Sequence, residues 1–101
     1  LNVFQPDVAV YREPVPPDEG GTLVPLVVFE VLSPSTEVRD RGPKRRRYLG
    51  AGVEEVWLLD REAGAIEVHT SRGARVAHGT DALRSRSVPE LVLVPDELYR
   101  F

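Results

Sequence analysis

The sequence contains no cysteine and only two histidines, His69 and His78, in 101 residues. Without cysteine the chain can form neither a disulfide nor a thiolate metal site, and a zinc site would depend mostly on carboxylates. This composition fits a reducing compartment, so we expect a cytoplasmic protein. No apolar run approaches the roughly 20 residues that cross a bilayer, and the first residues lack the basic-then-apolar layout of a signal peptide. We therefore expect no membrane partner and no secretion.

The length and composition predict one domain over residues 1–101. The chain is 42% hydrophobic and lies near the small end of the domain size range. A chain this short buries a smaller share of its surface than a larger domain does, and it has no cysteine framework to stabilise it. We therefore expect support from a partner subunit, or membership of a longer protein.

Charge is distributed unevenly along the chain. The net charge is −3, from 13 Lys and Arg against 16 Asp and Glu, which does not by itself indicate nucleic-acid binding. Residues 37–47 nevertheless hold six basic and two acidic side chains, a local charge of +4, which leaves −7 for the remainder. The sequence thus predicts a basic patch on an acidic body.

Hydrophobic patterning predicts a strand, a long loop, a second strand, a helix and then further strands. Residues 25–32 form an almost continuous apolar run, typical of a central strand covered on both faces. Residues 39–51 predict a helix with Asp40 as N-cap, Pro43 in the first turn, and Gly50 and Gly52 at the end. The other strands are predicted at residues 7–11, 53–60, 65–70, 74–77 and 91–94.

This order of elements predicts a mixed β-sheet in an α/β or α+β fold. A strand-helix-strand unit places two parallel strands in one sheet, and the hairpin that follows adds antiparallel ones. With one clear helix, we expect one face of the sheet to be poorly covered. Because an uncovered apolar face is an association surface, we expect a homo-oligomer, most simply a dimer.

Two carboxylates stand out near the predicted strands. Glu30 interrupts the apolar run, and burying it is costly unless a cation pairs with it. The residues alone leave open whether Glu30 is a functional buried acid or lies at the strand end, facing solvent or an arginine. Asp7 follows Pro6, as a simple turn residue would. If the two strands pair, both carboxylates can meet on one face as hard oxygen ligands, which suit Mg²⁺ or Mn²⁺.

The predicted helix adds cations beside these carboxylates. Lys44 and Tyr48 are four residues apart and share a helix face, although Tyr48 is also typical of core packing. The residues Arg45, Arg46 and Arg47 belong either to a solvated helix face or to a binding surface. Neither histidine has a catalytic context, and no nucleophile elbow or glycine-rich phosphate loop occurs.

A carboxylate pair, a lysine and a basic helix suit metal-assisted hydrolysis of a phosphodiester. A divalent metal neutralises the phosphate and lowers the pKa of its bound water, while an ammonium orients that water or steadies the developing charge. The basic helix attracts a phosphate backbone regardless of base sequence, and salt weakens that attraction.

An ordered set of motifs resembles the Uma2 family of the restriction-endonuclease-like PD-(D/E)XK superfamily. The set comprises Pro6-Asp7, the segment FEVLSPST at 29–36, Asp40, Lys44, Tyr48 and the segment GVEEVWLLD at 52–60, and the resemblance extends to about Val94. It implies a metal-dependent nuclease fold in which Asp7 and Glu30 are the metal carboxylates and the carbonyl of Val31 is a further ligand. It also implies that Lys44 is the catalytic lysine, since Leu32 occupies the position of the superfamily lysine. Asp40 and Tyr48 match family positions and are expected to support the site.

The resemblance implies a Mg²⁺- or Mn²⁺-dependent DNA endonuclease whose DNA backbone is contacted by Arg41, Arg45, Arg46 and Arg47. Members of the family are similar to longer proteins, with N-terminal helices and strands before the Pro-Asp pair. We therefore expect the N-terminal part of the family fold to be missing here. The alternatives are a catalytically degenerate nuclease fold that binds DNA or assembles oligomers, and a purely structural oligomerisation domain.

Overall fold

The computed structural model describes residues 6–14, 23–34 and 40–100 of the chain. A π-helical turn, Asp40–Lys44, continues directly into helix α1, Arg45–Gly50. The strands are β1 (Val8–Val10), β2 (Val27–Val31), β3 (Glu55–Asp60), β4 (Ala65–Thr70), β5 (Gly73–His78), β6 (Leu83–Arg84) and β7 (Val92–Leu93), and helix α2 spans Pro95–Leu98.

The first five strands form one mixed sheet in the order β1-β2-β3-β4-β5. Strands β2 and β3 are parallel, and the π-turn with α1 lies between them in the chain, whereas the other three pairings are antiparallel. Strands β6 and β7 pair separately as a two-stranded ribbon. The predicted mixed α+β sheet is confirmed.

The alternation of residues along β2 and β3 divides the core between the two faces of the sheet. On the helix face, Tyr48 packs among Val28, Leu32, Val56 and Leu58. The opposite face holds an apolar cluster centred on Trp57, which stacks obliquely on Phe29 with ring centroids 5.4 Å apart. Both faces of β2 and β3 are therefore buried, as the continuous apolar run at 25–32 predicts.

The expectation of a poorly covered sheet face is wrong. The segment that contains β6, β7 and α2 lies over the face opposite the helix and packs against its central tryptophan cluster. The covering side chains are Leu83, Val88, Leu91, Leu93, Leu98 and Tyr99. Within this cover the sequence predicts only the strand at 91–94, which is observed as β7. The other two elements, two and four residues long, are too short to show a strand or helical period.

The helix follows its predicted course with one local change. Pro43 lies inside the first, π-helical turn, so the chain tightens into α-helical geometry only at Arg45. Gly52 ends the helix with a positive φ of 106°, and the N–H of Val53 donates back to the carbonyl of Tyr48. Gly50, predicted as a second stop, is instead the last helical residue.

None of the helices in the described ranges is long and apolar enough to span a bilayer.

Candidate active site

Glu30 lies near the end of β2 on the helix face, with 2% of its surface exposed. Lys44 Nζ is 3.0 Å from Glu30 Oε1, and the Tyr48 hydroxyl donates to Oε2 over 2.7 Å. Both partners are buried too, and their spacing of four residues directs them to the same side of the helix. Each carboxylate oxygen of Glu30 thus has a partner from one helix face.

The charge state of Glu30 is set by opposing effects. Burial raises the pKa of the Glu30 carboxyl, and this effect exceeds the lowering by hydrogen bonds from Tyr48 and Lys44. The negative charge of Asp7 raises the pKa of Glu30 further. The environment therefore favours neutralisation of this carboxyl, and a cation placed beside it would relieve the same electrostatic cost.

Asp7 lies beside Glu30 at the edge of the sheet. Strand β1 pairs with β2 so that Val8 is opposite Phe29, and the next residue out is Asp7. The Val31 N–H donates to Asp7 Oδ2 over 2.7 Å, and the Asp7 N–H donates to the Phe29 carbonyl over 3.1 Å. Asp7 is exposed whereas Glu30 is buried, so the carboxylate pair opens to solvent on the Asp7 side.

Two further predicted site residues are Val31 and Asp40, and the structure describes the side chain of Val31 only. Val31 immediately follows Glu30 in β2, and its side chain is exposed. Asp40 begins the π-helical turn, and its side chain lies outside the described part of the structure, as do residues 35–39. The structure brings together Asp7, Glu30, Lys44 and Tyr48 from three separate segments.

Arg41 and Arg45 face a second polar cluster on strands β3 and β4. Arg41 Nη2 lies 2.9 Å from Asp60 Oδ2, and its Nη1 contacts Glu67 Oε2. Arg45 Nη1 lies 3.4 Å from His69 Nδ1, and His69 Nε2 is 2.8 Å from Glu67 Oε1. These contacts tie the helix to β4, two strands away from Glu30.

The polar cluster on β3 and β4 favours the charged form of Glu67. Burial by itself raises the pKa of Glu67, but hydrogen bonds from His69 and Arg41 together with nearby positive charge hold it below its ordinary value. The two other predicted phosphate contacts, Arg46 and Arg47, are exposed.

Sequence interpretation missed Asp60, Glu67 and His69 as members of this cluster. The available signal was the alternation along β4, which places Glu67 and His69 on one face. The register that aligns Leu58 with Glu67 and Val56 with His69 puts that face beneath the helix, and no local pattern specifies this alignment.

The donor set decides which metals the site can hold. Within the described residues, no three His, Cys, Asp or Glu side chains cluster closely enough to form a metal site alone. Asp7 and Glu30 provide hard oxygen ligands, and Mg²⁺ commonly binds through one or two carboxylates with water and substrate phosphate completing its shell. The two carboxylates therefore suit a hard divalent cation that shares its coordination with substrate.

Comparison with known proteins gives a family and a fold. The profile of the Uma2 family, described as "Putative restriction endonuclease", matches residues 1–96. The fold is similar to that of the crystal structure of "a putative nuclease belonging to DUF820" from Anabaena variabilis, with a TM-score of 0.65 and 23% sequence identity. That alignment covers 77% of this chain and 45% of the other, so the chain spans less than half the length of that protein. No curated protein matches the sequence.

Proposed function

The chain belongs to the Uma2 family, and from this premise we propose that it is a divalent-metal-dependent endonuclease that hydrolyses phosphodiester bonds in DNA. The observation that supports the proposal most is the buried Glu30 carboxylate, held by Lys44 and Tyr48 and adjoining the exposed Asp7. A fold does not need a buried acid beside a second acid, and a bound cation in addition to Lys44 would offset the cost of this arrangement.

Asp7 and Glu30 would hold the metal, with the carbonyl of Val31 as a proposed third ligand. A bound Mg²⁺ or Mn²⁺ would supply charge neutralisation at the phosphate and a water of lowered pKa. The raised pKa of Glu30 supports this assignment, because burial and the neighbouring Asp7 disfavour the charged carboxylate and a bound cation would offset both effects. The exposure of Asp7 gives the substrate side of the site access to solvent.

Lys44 and Tyr48 have distinct proposed tasks. The Lys44 ammonium, fixed 3.0 Å from Glu30 Oε1, would steady the negative charge that develops on the phosphate oxygens. The Tyr48 hydroxyl, bonded to Oε2, would fix the rotamer of Glu30 and so act as a positioning residue. Asp40 retains the supporting role that the family resemblance implies.

The basic helix is the proposed DNA contact. Arg46 and Arg47 are exposed and would meet phosphates directly. Arg41 contributes chiefly by anchoring the helix, since its guanidinium contacts Asp60 and Glu67. Binding through such contacts depends on salt and is indifferent to base sequence.

The test is cleavage of supercoiled plasmid by Glu30→Gln, with Glu62→Gln as the matched control. Glu62 is an exposed glutamate in the turn after β3, so its change keeps the same chemistry away from the site. We expect wild type and Glu62→Gln to cut with Mg²⁺ or Mn²⁺ and not with EDTA. Cleavage by Glu30→Gln should fall about 100-fold or more, the usual cost of removing one electrostatic contributor to a transition state.

Two results would overturn the proposed activity. One is cleavage by Glu30→Gln at the wild-type rate, which would trace the activity to a contaminant or another site. The other is wild-type protein that binds DNA in a salt-sensitive way yet cuts it with neither metal. The second result would favour a degenerate nuclease fold that serves as a DNA-binding module.

A further inference from the structure

A groove lies beside helix α1, between the helix and the β4–β5 hairpin. It has a volume of about 440 Å³ and is lined by Arg45 and Arg46 from the helix and by His69, Thr70 and Ser71 from the hairpin. We call it the hairpin groove. Among the described residues that line it there are two guanidinium groups, one imidazole and two hydroxyls, and no carboxylate. The chemistry of this lining is complementary to an anion.

The position of Arg45 in the hairpin groove is held by a chain of hydrogen bonds. Arginine has only N–H donors, so the contact from Arg45 Nη1 requires His69 Nδ1 to be the acceptor. With Nδ1 as the acceptor, a ring hydrogen lies on Nε2, which donates to Glu67 Oε1 over 2.8 Å. Glu67 is itself held by Arg41. One of the five donors of Arg45 is used in this chain, and a fixed guanidinium loses less entropy when it binds a phosphate.

The hairpin groove and the carboxylate site flank the same helix. Lys44 contacts Glu30 on β2, whereas its neighbour Arg45 contacts His69 on β4. Strand β3 lies between them, so the strands that carry the two contacts are about 10 Å apart, two spacings of roughly 4.8 Å.

We propose that the hairpin groove binds a backbone phosphate of DNA, on the opposite flank of the helix from the phosphate at Glu30. The inference rests on the proposed function and extends it, because it adds His69, Thr70 and Ser71 to the DNA-binding surface. Arg45 and Arg46 provide the charge, and the two hydroxyls provide donors of the kind that contact phosphate oxygens. With DNA bound in the hairpin groove, helix α1 would have substrate contacts on both of its sides.

The test compares Ser71→Glu with Thr80→Glu in binding to a fluorescently labelled 20-base-pair duplex, measured by anisotropy in EDTA. Both residues are exposed and lie in turns at opposite ends of β5. Each variant adds one negative charge. Ser71→Glu should weaken binding about tenfold in 50 mM salt, and Thr80→Glu less than twofold. Circular dichroism confirms that each variant is folded. In addition, Arg46→Gln should reduce the slope of log K against log salt by about 1.

Three results would overturn the groove assignment: equal effects of the two glutamate variants, absence of wild-type binding to the duplex, or displacement of the duplex by 1 mM inorganic phosphate at matched ionic strength. The last result would identify a site for free phosphate instead of a DNA backbone. Cleavage with metal is a separate readout. A wild-type protein that binds through the groove but never cuts would contradict the proposed activity and leave the groove assignment standing.

Discussion

At the scale of single residues, the central feature is a carboxylate buried with a cation and a hydroxyl from one helix face. Glu30, Lys44 and Tyr48 are each at least nine-tenths buried, and their contacts are short. Taking two charges out of water costs several kcal/mol per ion, so mutual contact alone gives the pair little net stability. We interpret the trio as a functional arrangement that the surrounding fold supports.

Removal of Lys44 tests the energetic coupling of this trio. Lys44→Met should lower the free energy of unfolding by about 3 kcal/mol, because it leaves Glu30 buried without its cation. The double variant Glu30→Gln, Lys44→Met should be more stable than Lys44→Met alone, since no charge then remains to be desolvated. Urea unfolding in EDTA measures both.

The control for this cycle is Arg46→Met, which removes an exposed cation from the same helix and should change stability by no more than about 0.5 kcal/mol. A Lys44→Met protein as stable as Arg46→Met would show that the contact with Glu30 is not coupled to folding.

At the scale of elements, the short helix α1 with its π-turn positions the lysine and the tyrosine of the site. Eleven residues, Asp40–Gly50, are too few to be helical alone in water, so packing against the sheet holds them. Tyr48 and Lys44 fix one flank to β2, while Arg41 and Arg45 fix the other to β3 and β4. The same contacts that stabilise the helix therefore align the carboxylate site with the hairpin groove.

Two glycines at the end of this helix have opposite roles and provide a matched pair of substitutions. Gly52 has a φ of 106°, so Gly52→Ala should cost about 1 kcal/mol of unfolding free energy. Gly50 is helical, and a Cβ there would meet no atom within 4 Å. Gly50→Ala should therefore stabilise the protein by about 0.5–1 kcal/mol. Thermal unfolding of both variants measures the difference, and effects of the same sign would contradict the assigned helix end.

At the scale of the whole molecule, the sheet is joined to its C-terminal cover by a second buried glutamate. Glu55, at the start of β3, accepts hydrogen bonds from Trp57 Nε1, Ser85 Oγ and the N–H groups of Arg86 and Ser87. Burial by itself raises the pKa of Glu55, but these four bonds outweigh it and hold the pKa below its ordinary value of 4.5. The hydrogen bonds to Glu55 thus hold the segment that begins at Ser85 in place over the apolar cluster around Trp57.

The hydrogen bonds to Glu55 predict that the stability of the fold falls at acid pH. Because the pKa of Glu55 is lower in the folded than in the unfolded chain, its contribution is present above the unfolded pKa and is lost as pH falls through the folded pKa. Glu55→Gln should lower the free energy of unfolding by about 2 kcal/mol at pH 7 and flatten its decline below about pH 4.5. Urea titrations at pH 7, 5 and 3.5 measure this.

The control for the acid titrations is Glu90→Gln, a substitution of an exposed glutamate in the C-terminal cover, which should retain the wild-type pH profile. A profile for Glu55→Gln that is superimposable on that of wild type would place the acid sensitivity elsewhere.

The sequence by itself determined the mixed sheet and the helix between parallel strands, and it predicted the residues of the carboxylate site. These follow from local patterns: the apolar run around Glu30, the spacing of Lys44 and Tyr48, and the family motifs that contain them. The dimer and the cytoplasmic location stay predictions.

Only the tertiary structure decided which of these residues meet. Alternation assigns a side chain to a face, but the partner strand and its register depend on the whole folded chain. That register places Asp7 beside Glu30, brings His69 under Arg45 to form the hairpin groove, and draws Ser85–Ser87 onto Glu55. Each of these contacts joins residues at least 23 apart in the chain, and such contacts leave no periodic trace in the sequence.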